Sequence, residues 1–285
     1  MPQNAPTLSR RSLLASATAG AVIISAGRPA QAALNLEDPS EYLTTVLKMR
    51  GCVDGSLSLG WIMGQRYAIV DGKATPMYGL LASTFANYTR IDAENFEMRS
   101  FEVAYFTDLK TGKLLEKWEN PFTGKVVDVP QTRMGPSIVP VMPGGFDLSD
   151  NPRMRTMSAN HMFRPAVTLR DDIWITEEIK IAGDPPNSGP NPFRYNEMTT
   201  YNASLRDLEK PDLATVPTKI QYQSAVGFSP WNAMGDIDAI NMGRGSGTRV
   251  ARVEDFPPYY LELTEKYHAD VLNDPMAILY GPRHN

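Results

Sequence analysis

The sequence predicts a mainly β protein: an antiparallel meander closed or curled into a barrel-like sheet, flanked by an N-terminal and a C-terminal helix. Three observations carry this. Apolar residues alternate with a period of two through the middle of the chain. Short turn signals built from Gly, Pro, Asn and Asp separate the runs. Helix caps occur only near the two ends, so the helices that βαβ crossovers need are missing between the strands. A meander of roughly ten runs must close or fold over to hide its edges.

In chain order, the first element is an export leader. In "SRRSLLASATAGAVIISAGRPAQAA", Arg10 and Arg11 precede an uncharged Ala- and Ile-rich stretch, and Ala30-Gln31-Ala32 is a small-x-small cleavage site. Paired arginines before the apolar run are the twin-arginine variant of a signal peptide. Gly20 and Gly27 interrupt the stretch, which is short of the roughly 20 apolar residues of a spanning helix. The expected organisation is therefore a signal peptide over 1–32 and a single β-rich domain over 33–285. The expected location is the periplasm or beyond, reached through the twin-arginine machinery, with no stable membrane insertion after cleavage.

The first helix is set by Asp38-Pro39-Ser40-Glu41, an N-cap followed by Pro and an acid in the first turn. Tyr42, Val46 and Met49 share a face with Leu43 and Leu47 beside them, and Gly51 stops the helix. Asp71-Gly72 marks a tight turn. In "MRSFEVAYFTD", Phe101, Val103 and Tyr105 face one way and Glu102, Ala104 and Phe106 the other. "GKLLEKWENPFTGKVVDVP" reads as a hairpin turning at Asn120–Gly124. "IWITEEIKIAG", "RYNEMTTYNASLRD" and "TKIQYQSAVGFSP" repeat the alternation, and the Pro/Gly-rich stretch 183–193 reads as a long loop. "GRGSGT" (Gly243–Thr248) reads as a flexible loop, with Arg244 and Arg249 as anion contacts. It has neither the ending of a phosphate loop nor the setting of a dinucleotide site. "GDIDAIN", with Asp236 and Asp238, reads as a solvated turn. The last helix follows Pro257-Pro258, with Tyr259, Leu263, Tyr267 and Val271 as its apolar stripe.

Composition narrows the function classes. The formal charge is −4. The leader carries Arg10, Arg11 and Arg28 and no acid, so its removal leaves −7. That charge supplies no basic surface for nucleic acid. Cys52 is the lone cysteine, so no intrachain disulfide forms. The three histidines, His161, His268 and His284, do not combine with it in the spacing of a zinc, haem or iron–sulfur site. No cofactor is expected. A G-x-S-x-G nucleophile elbow is also missing.

Chemistry is expected where polar residues stand on faces that should be buried. Glu177 shares a face with Ile173, Ile175, Ile179 and Ile181. Glu197 shares one with Tyr195, Thr199, Tyr201, Ala203 and Leu205, and Glu102 lies between Ser100 and Ala104. A carboxylate in an apolar lining is costly unless paired, and its pKa rises. Glu102, Glu177 and Glu197 are therefore the candidates for ligand anchors or acid–base groups, with His161 and Arg133 assisting. A β-bulge at Thr176–Glu178 would instead turn Glu177 outward. Trp61, Tyr67, Tyr105, Trp118, Tyr201 and Tyr222, aromatics with polar tips in or near strands, are the candidate ligand-binding residues. Each of them also suits an ordinary core, which is the expected fate of any single one.

Three phrases, "LKMRGCVDGSLSLGWIMGQRYAIVDGKATPMYGL", "SFEVAYFTDLKTGKLLEKWENPFTGKVVDVPQTRMGP" and "SPWNAMG", resemble domain-of-unknown-function family 1838. The resemblance covers about Leu36 to Tyr280. It implies an exported bacterial protein often carrying a twin-arginine leader, and it contributes no catalytic residue.

Two functions follow from the residues. One is a protein that binds a small, partly apolar ligand in a barrel-like pocket. The other is a cofactor-independent hydrolase, isomerase or lyase that uses inward-facing carboxylates. Export is tested at the leader: replacing Arg10 and Arg11 by Lys is expected to leave the protein in the cytoplasm, as read by cell fractionation. Continued export would overturn the leader reading.

Overall fold

The computed structural model describes residues 34–149, 157–183 and 193–281, which lie within one unit, Leu34–Asn285. Residues 1–33, where the expected leader falls, most of the 183–193 stretch and His284 lie outside the described residues. Helix α1 (Pro39–Arg50) is capped as its sequence predicts. The Asp38 carboxylate accepts from the backbone N–H groups of Ser40 and Glu41, and Gly51 follows the last turn. The strands are β1 (Ser58–Val70), β2 (Lys73–Arg90), β3 (Phe96–Thr107), β4 (Lys117–Glu119), β5 (Val126–Asp128), β6 (Thr132–Met142), β7 (Gly145–Phe146), β8 (Met157–Phe163), β9 (Val167–Leu169), β10 (Asp172–Gly183) and β11 (Phe193–Ser204). A short α2 (Leu205–Leu208) precedes β12 (Lys219–Val226) and β13 (Ile240–Val250), and α3 (Pro258–Asn273) and α4 (Pro275–Tyr280) close the chain.

One 11-stranded sheet runs β7-β6-β3-β2-β1-β13-β12-β11-β10-β8, with β9 paired to β10. Its pairings are all antiparallel. β4 and β5 form the predicted hairpin as a separate pair. Asp71 and Gly72 both have positive φ, 48° and 75°, the geometry of a two-residue hairpin loop whose twist matches its strands. The sheet is nearly closed into a barrel. Its two end strands, β7 and β8, meet where the Phe146 N–H donates to His161 Nδ1 at 2.9 Å. The two rings stack there at 3.7 Å.

Two apolar clusters occupy opposite faces of this sheet. On the concave face, Leu43, Val46, Leu47 and Met49 of α1 pack against Ala86, Tyr88, Met98, Val139, Phe163, Ile175 and Tyr201. The helix thus fills one end of the interior. On the convex face, α3 and α4 cover Leu81, Phe85, Phe101, Val103 and Tyr105 with Tyr260, Leu263, Val271 and Leu279. β3 is therefore covered on its convex face by the helices and turns its other face to the interior, and its four consecutive apolar residues Val103–Phe106 serve both faces. Among the described residues no helix is long and apolar enough to cross a membrane.

Two local expectations are corrected. Gly243–Thr248 is strand, central to β13. Its glycines serve close approach: a Cβ on Gly247 would stand 1.8 Å from the Trp61 carbonyl oxygen, and one on Gly64 would stand 2.1 Å from that of Arg244. Paired backbones come this near where a sheet bends sharply. In α3 the fully buried positions are Tyr260, Leu263, Thr264 and Val271, with Tyr259 and Tyr267 half-buried against the same cluster. The fully buried stripe starts one residue later than Tyr259, and the backbone departs from helix at His268. Asp236 and Asp238 lie exposed in and just after a turn, as the sequence suggests.

The bend is tested by comparing two glycines of the same strand pair. A Cβ on Gly60 meets nothing nearer than a side-chain carbon of Ile220 at 3.4 Å. Gly60→Ala is expected to change stability by less than about 1 kcal/mol, and Gly247→Ala to cost about 2 kcal/mol or more. Urea unfolding of the two variants measures the difference. Equal costs would contradict the close approach.

Candidate functional site

The interior between α1 and the far end of the sheet is a cavity of about 440 Å³. Strand parity decides what enters it. Even-numbered residues of β1, β2 and β3 face inward, as do odd-numbered residues of β10, β11 and β13. Glu102, Glu177 and Glu197 consequently line one cavity, together with Tyr201 and Tyr222 from the predicted aromatics. No register shift interrupts β10 against β11, so the bulge that would turn Glu177 outward is absent there.

The three carboxylates differ in their surroundings. Glu177 is only 3% exposed. Arg50, the last residue of α1, clasps it with Nε to Oε2 at 2.8 Å and Nη2 to Oε1 at 3.2 Å. His161 Nε2 meets Oε1 at 2.9 Å, and the Tyr201 hydroxyl donates to Oε2 at 2.9 Å. Because His161 Nδ1 accepts from the Phe146 N–H, the ring proton sits on Nε2 and is donated to Glu177. Burial opposes ionisation of Glu177, but the Arg50 charge and the His161 N–H outweigh it. They hold the carboxyl well below the usual carboxylate range. This group is a fixed anion, fully partnered.

Glu197 is different. The Tyr195 hydroxyl donates to it, and the Thr199 hydroxyl lies 3.4 Å away. Burial, then the charge of Glu102, push its pKa up to about 7, and the Tyr195 hydrogen bond pulls only partly the other way. Glu102 stands on β3 across the interior. Its side chain has open surface, and that surface faces the cavity. Enclosure raises its pKa, with Arg50 lowering and Glu177 raising it further. Glu102 has no hydrogen bond or ion pair among the described residues. Arg66 enters from β1, donates to Ser224 Oγ at 2.9 Å and the Tyr222 hydroxyl at 3.1 Å, and lies over the Tyr222 ring. Arg66 and Glu197 flank Ser224, since Glu197 is its register partner on β11.

The remaining predicted residues lie elsewhere. His161 is buried behind Glu177 at the closure of the sheet. Arg133 pairs with Asp270 of α3 on the outside. Trp61 borders the cavity, but its side chain packs with the helix-covered cluster. Tyr67 points outward and donates to Gln65. Tyr105 lies beneath α3, where its hydroxyl donates to Thr264 at 3.1 Å. Trp118 packs edge-on to Tyr78 in a third apolar cluster at the far end. Sequence reasoning missed Arg50, Arg66, Tyr88, Asn232 and Asn241. Arg66 was legible from the parity of β1, which puts it with Gly60, Ile62 and Gly64. Arg50 was hidden because a basic residue in the last turn is ordinary helix chemistry. Among the described residues no group of three or more His, Cys, Asp or Glu is placed to hold a metal ion.

The Glu177 cluster is tested by unfolding. Glu177→Ala leaves the Arg50 guanidinium buried without its partner and is expected to cost about 3–5 kcal/mol. The double variant Arg50→Met, Glu177→Leu is expected to recover most of that loss, as measured by urea denaturation. A single-variant cost below about 1 kcal/mol would contradict the pairing.

No curated protein and no solved structure matches the chain. The family described as "Protein of unknown function (DUF1838)" matches residues 56–269. That span runs from just before β1 into α3, so it contains every strand of the barrel-like sheet and the lining that the strands contribute, and the chain belongs to this family.

Proposed function

We propose that this protein is exported and binds a small, partly apolar molecule inside its barrel-like sheet. The observation that carries the reading is the cavity of about 440 Å³, which lies within the 300–1,000 Å³ range of ligand pockets. Its lining supports the same reading. Tyr88, Phe106, Trp231 and Ile220 offer apolar surface, while Glu102, Glu197 and Arg66 offer a few convergent polar groups. Such a mixture suits orienting one end of a ligand while covering the rest. The fixed Arg50–Glu177 pair belongs to the wall.

One observation favours a second reading, a cofactor-independent acid–base enzyme. Glu102 and Glu197 converge on one cavity, and a carboxyl whose pKa burial pushes up to about 7 is matched to proton transfer near neutrality. Glu197 would be the acid–base residue, with Tyr195 beside it and Arg66 stabilising negative charge. The two readings share the cavity and differ in whether the bound molecule leaves changed.

Native mass spectrometry of the full chain purified from its own cells tests the binding reading. A bound mass is expected in the wild type. In Ala82→Trp, which fills the cavity from β2, that mass is expected to be lost while the fold persists by circular dichroism. A chain that is always empty, or an Ala82→Trp variant that retains the mass, would overturn it. Release of a chemically altered molecule would favour the enzyme.

A further inference from the structure

We infer that the molecule held in this cavity is an organic cation, an ammonium head on an apolar body, with the ammonium seated between Glu102 and Glu197. The inference rests on the binding reading above and names the class of its ligand. It begins from charge. Arg50 and Glu177 cancel one another at 2.8 Å. Arg249 turns its guanidinium to the carbonyl oxygens of Lys48 and Gly51, at the C-terminal end of α1, where the helix dipole answers its charge. Of the ionisable side chains at the centre of the cavity, Arg66 is then left against two carboxylates, Glu102 and Glu197. Over the whole lining Arg50, Arg66 and Arg249 balance Glu102, Glu177 and Glu197, but with Arg249 held at the α1 end a monocation restores local neutrality between Glu102 and Glu197, where an uncompensated charge is costly.

Hydrogen-bond bookkeeping is the second, independent observation. Three hydroxyl protons of the wall are already committed: Tyr195 donates to Glu197, Tyr201 to Glu177, and Tyr222 to Ser224 at 2.9 Å, while the Tyr78 and Tyr88 hydroxyls accept from Asn232 and Arg50. The unpartnered side-chain atoms of the lining divide by position: Arg249 Nε and Ser58 Oγ, which can donate, belong to residues beside Gly51 at the α1 end, and the others are acceptors. Glu102 has no partner among the described residues. Asn232 and Asn241, 1% and 6% exposed, line the far end, and their side-chain carbonyl oxygens accept no hydrogen bond. Buried acceptors left unmade cost free energy, and only a donor relieves them. An ammonium is all donor and no acceptor.

The third observation is the surface around these acceptors. Tyr78, Tyr88, Phe106 and Trp231 line the same space. Aromatic faces attract cations and also cover apolar bodies. A ligand carboxylate would have to use Arg66, whose Nη atoms already serve Ser224 and Tyr222, and would face two carboxylates. Burial and then the Glu102 charge raise the Glu197 pKa although Arg66 lowers it, so a further cation beside it would stabilise the ionised form.

Three probes with one aromatic body and different heads separate the classes: tryptamine, tryptophol and indoleacetate. Isothermal titration calorimetry against the full-length mature protein is expected to rank tryptamine tightest, by about tenfold or more over tryptophol, with indoleacetate weakest. Glu102→Gln and Glu197→Gln keep shape and fold but remove charge. Each is expected to erase most of the tryptamine preference while leaving tryptophol affinity within about twofold. Equal binding of tryptamine and tryptophol, tighter binding of indoleacetate, or Gln variants that bind tryptamine as the wild type does would each overturn the cation inference and leave the cavity reading standing. Binding of none of the three to a chain whose native mass spectrum carries a bound molecule would overturn it likewise. Binding of none to a chain that is always empty would remove both.

Discussion

The rest of the molecule depends on the buried carboxylate of Glu177. It is the point where three parts of the chain are joined: Arg50 from the plug helix, His161 from the closing edge of the sheet, and Tyr201 from the adjacent strand. His161 carries the connection one bond further, because its other nitrogen accepts from the backbone of β7. A curled sheet with a helix in its mouth has no intrinsic reason to stop at one curvature or one depth of plug. Apolar contacts between α1 and the concave face are non-directional. The charge-assisted bonds around Glu177 are directional, and buried ionic groups are tolerated only when every partner is in place. The network therefore penalises displacement of the helix, the edge or the strand.

The same sheet must serve two faces. β3 shows how: Phe101, Val103 and Tyr105 go under α3 and α4, while Glu102, Ala104 and Phe106 go to the cavity. Covering the outside with helices stiffens the wall on which the polar groups are mounted. The inside can then stay incompletely filled, because the apolar burial that stabilises the fold is concentrated in the α1 end and in the helix-covered outer face. Bends at the β1–β13 glycines bring the remaining strands around.

What distinguishes the cavity from a packing defect is its chemistry. Empty apolar holes are lined by apolar groups. Here the lining carries two carboxylates without a basic hydrogen-bond partner, a guanidinium held by hydroxyls, and amide oxygens with nothing to accept from. Burial raises the pKa of Glu102 and of Glu197, with the Glu102 charge adding to the rise at Glu197, and such shifts cost folding free energy. A cost of that kind is typical of sites shaped for something other than stability.

The sequence by itself determined the elements and their faces. Alternation placed Glu102, Glu177 and Glu197 inward, the Asp38-Pro39 cap started α1, and Asp71-Gly72 turned β1 into β2, because these depend on neighbours within a few residues. It also carried the family, through phrases spread along the chain. Only the tertiary structure decided which inward residues meet. Arg50 and Glu177 lie 127 positions apart, and nothing local marks a helix-terminal arginine as the partner of a strand carboxylate. Tyr67, Tyr105 and Trp118 look from their sequence like Tyr201 and Tyr222, yet they face outward or pack under helices and the far hairpin. Gly243–Thr248 reads locally as a loop and is a strand, since the demand for glycine comes from the backbone of β1 alongside it. Local chemistry sets which way a side chain points, but the closure of the sheet sets what it points at, and that is a property of contacts made across the whole chain.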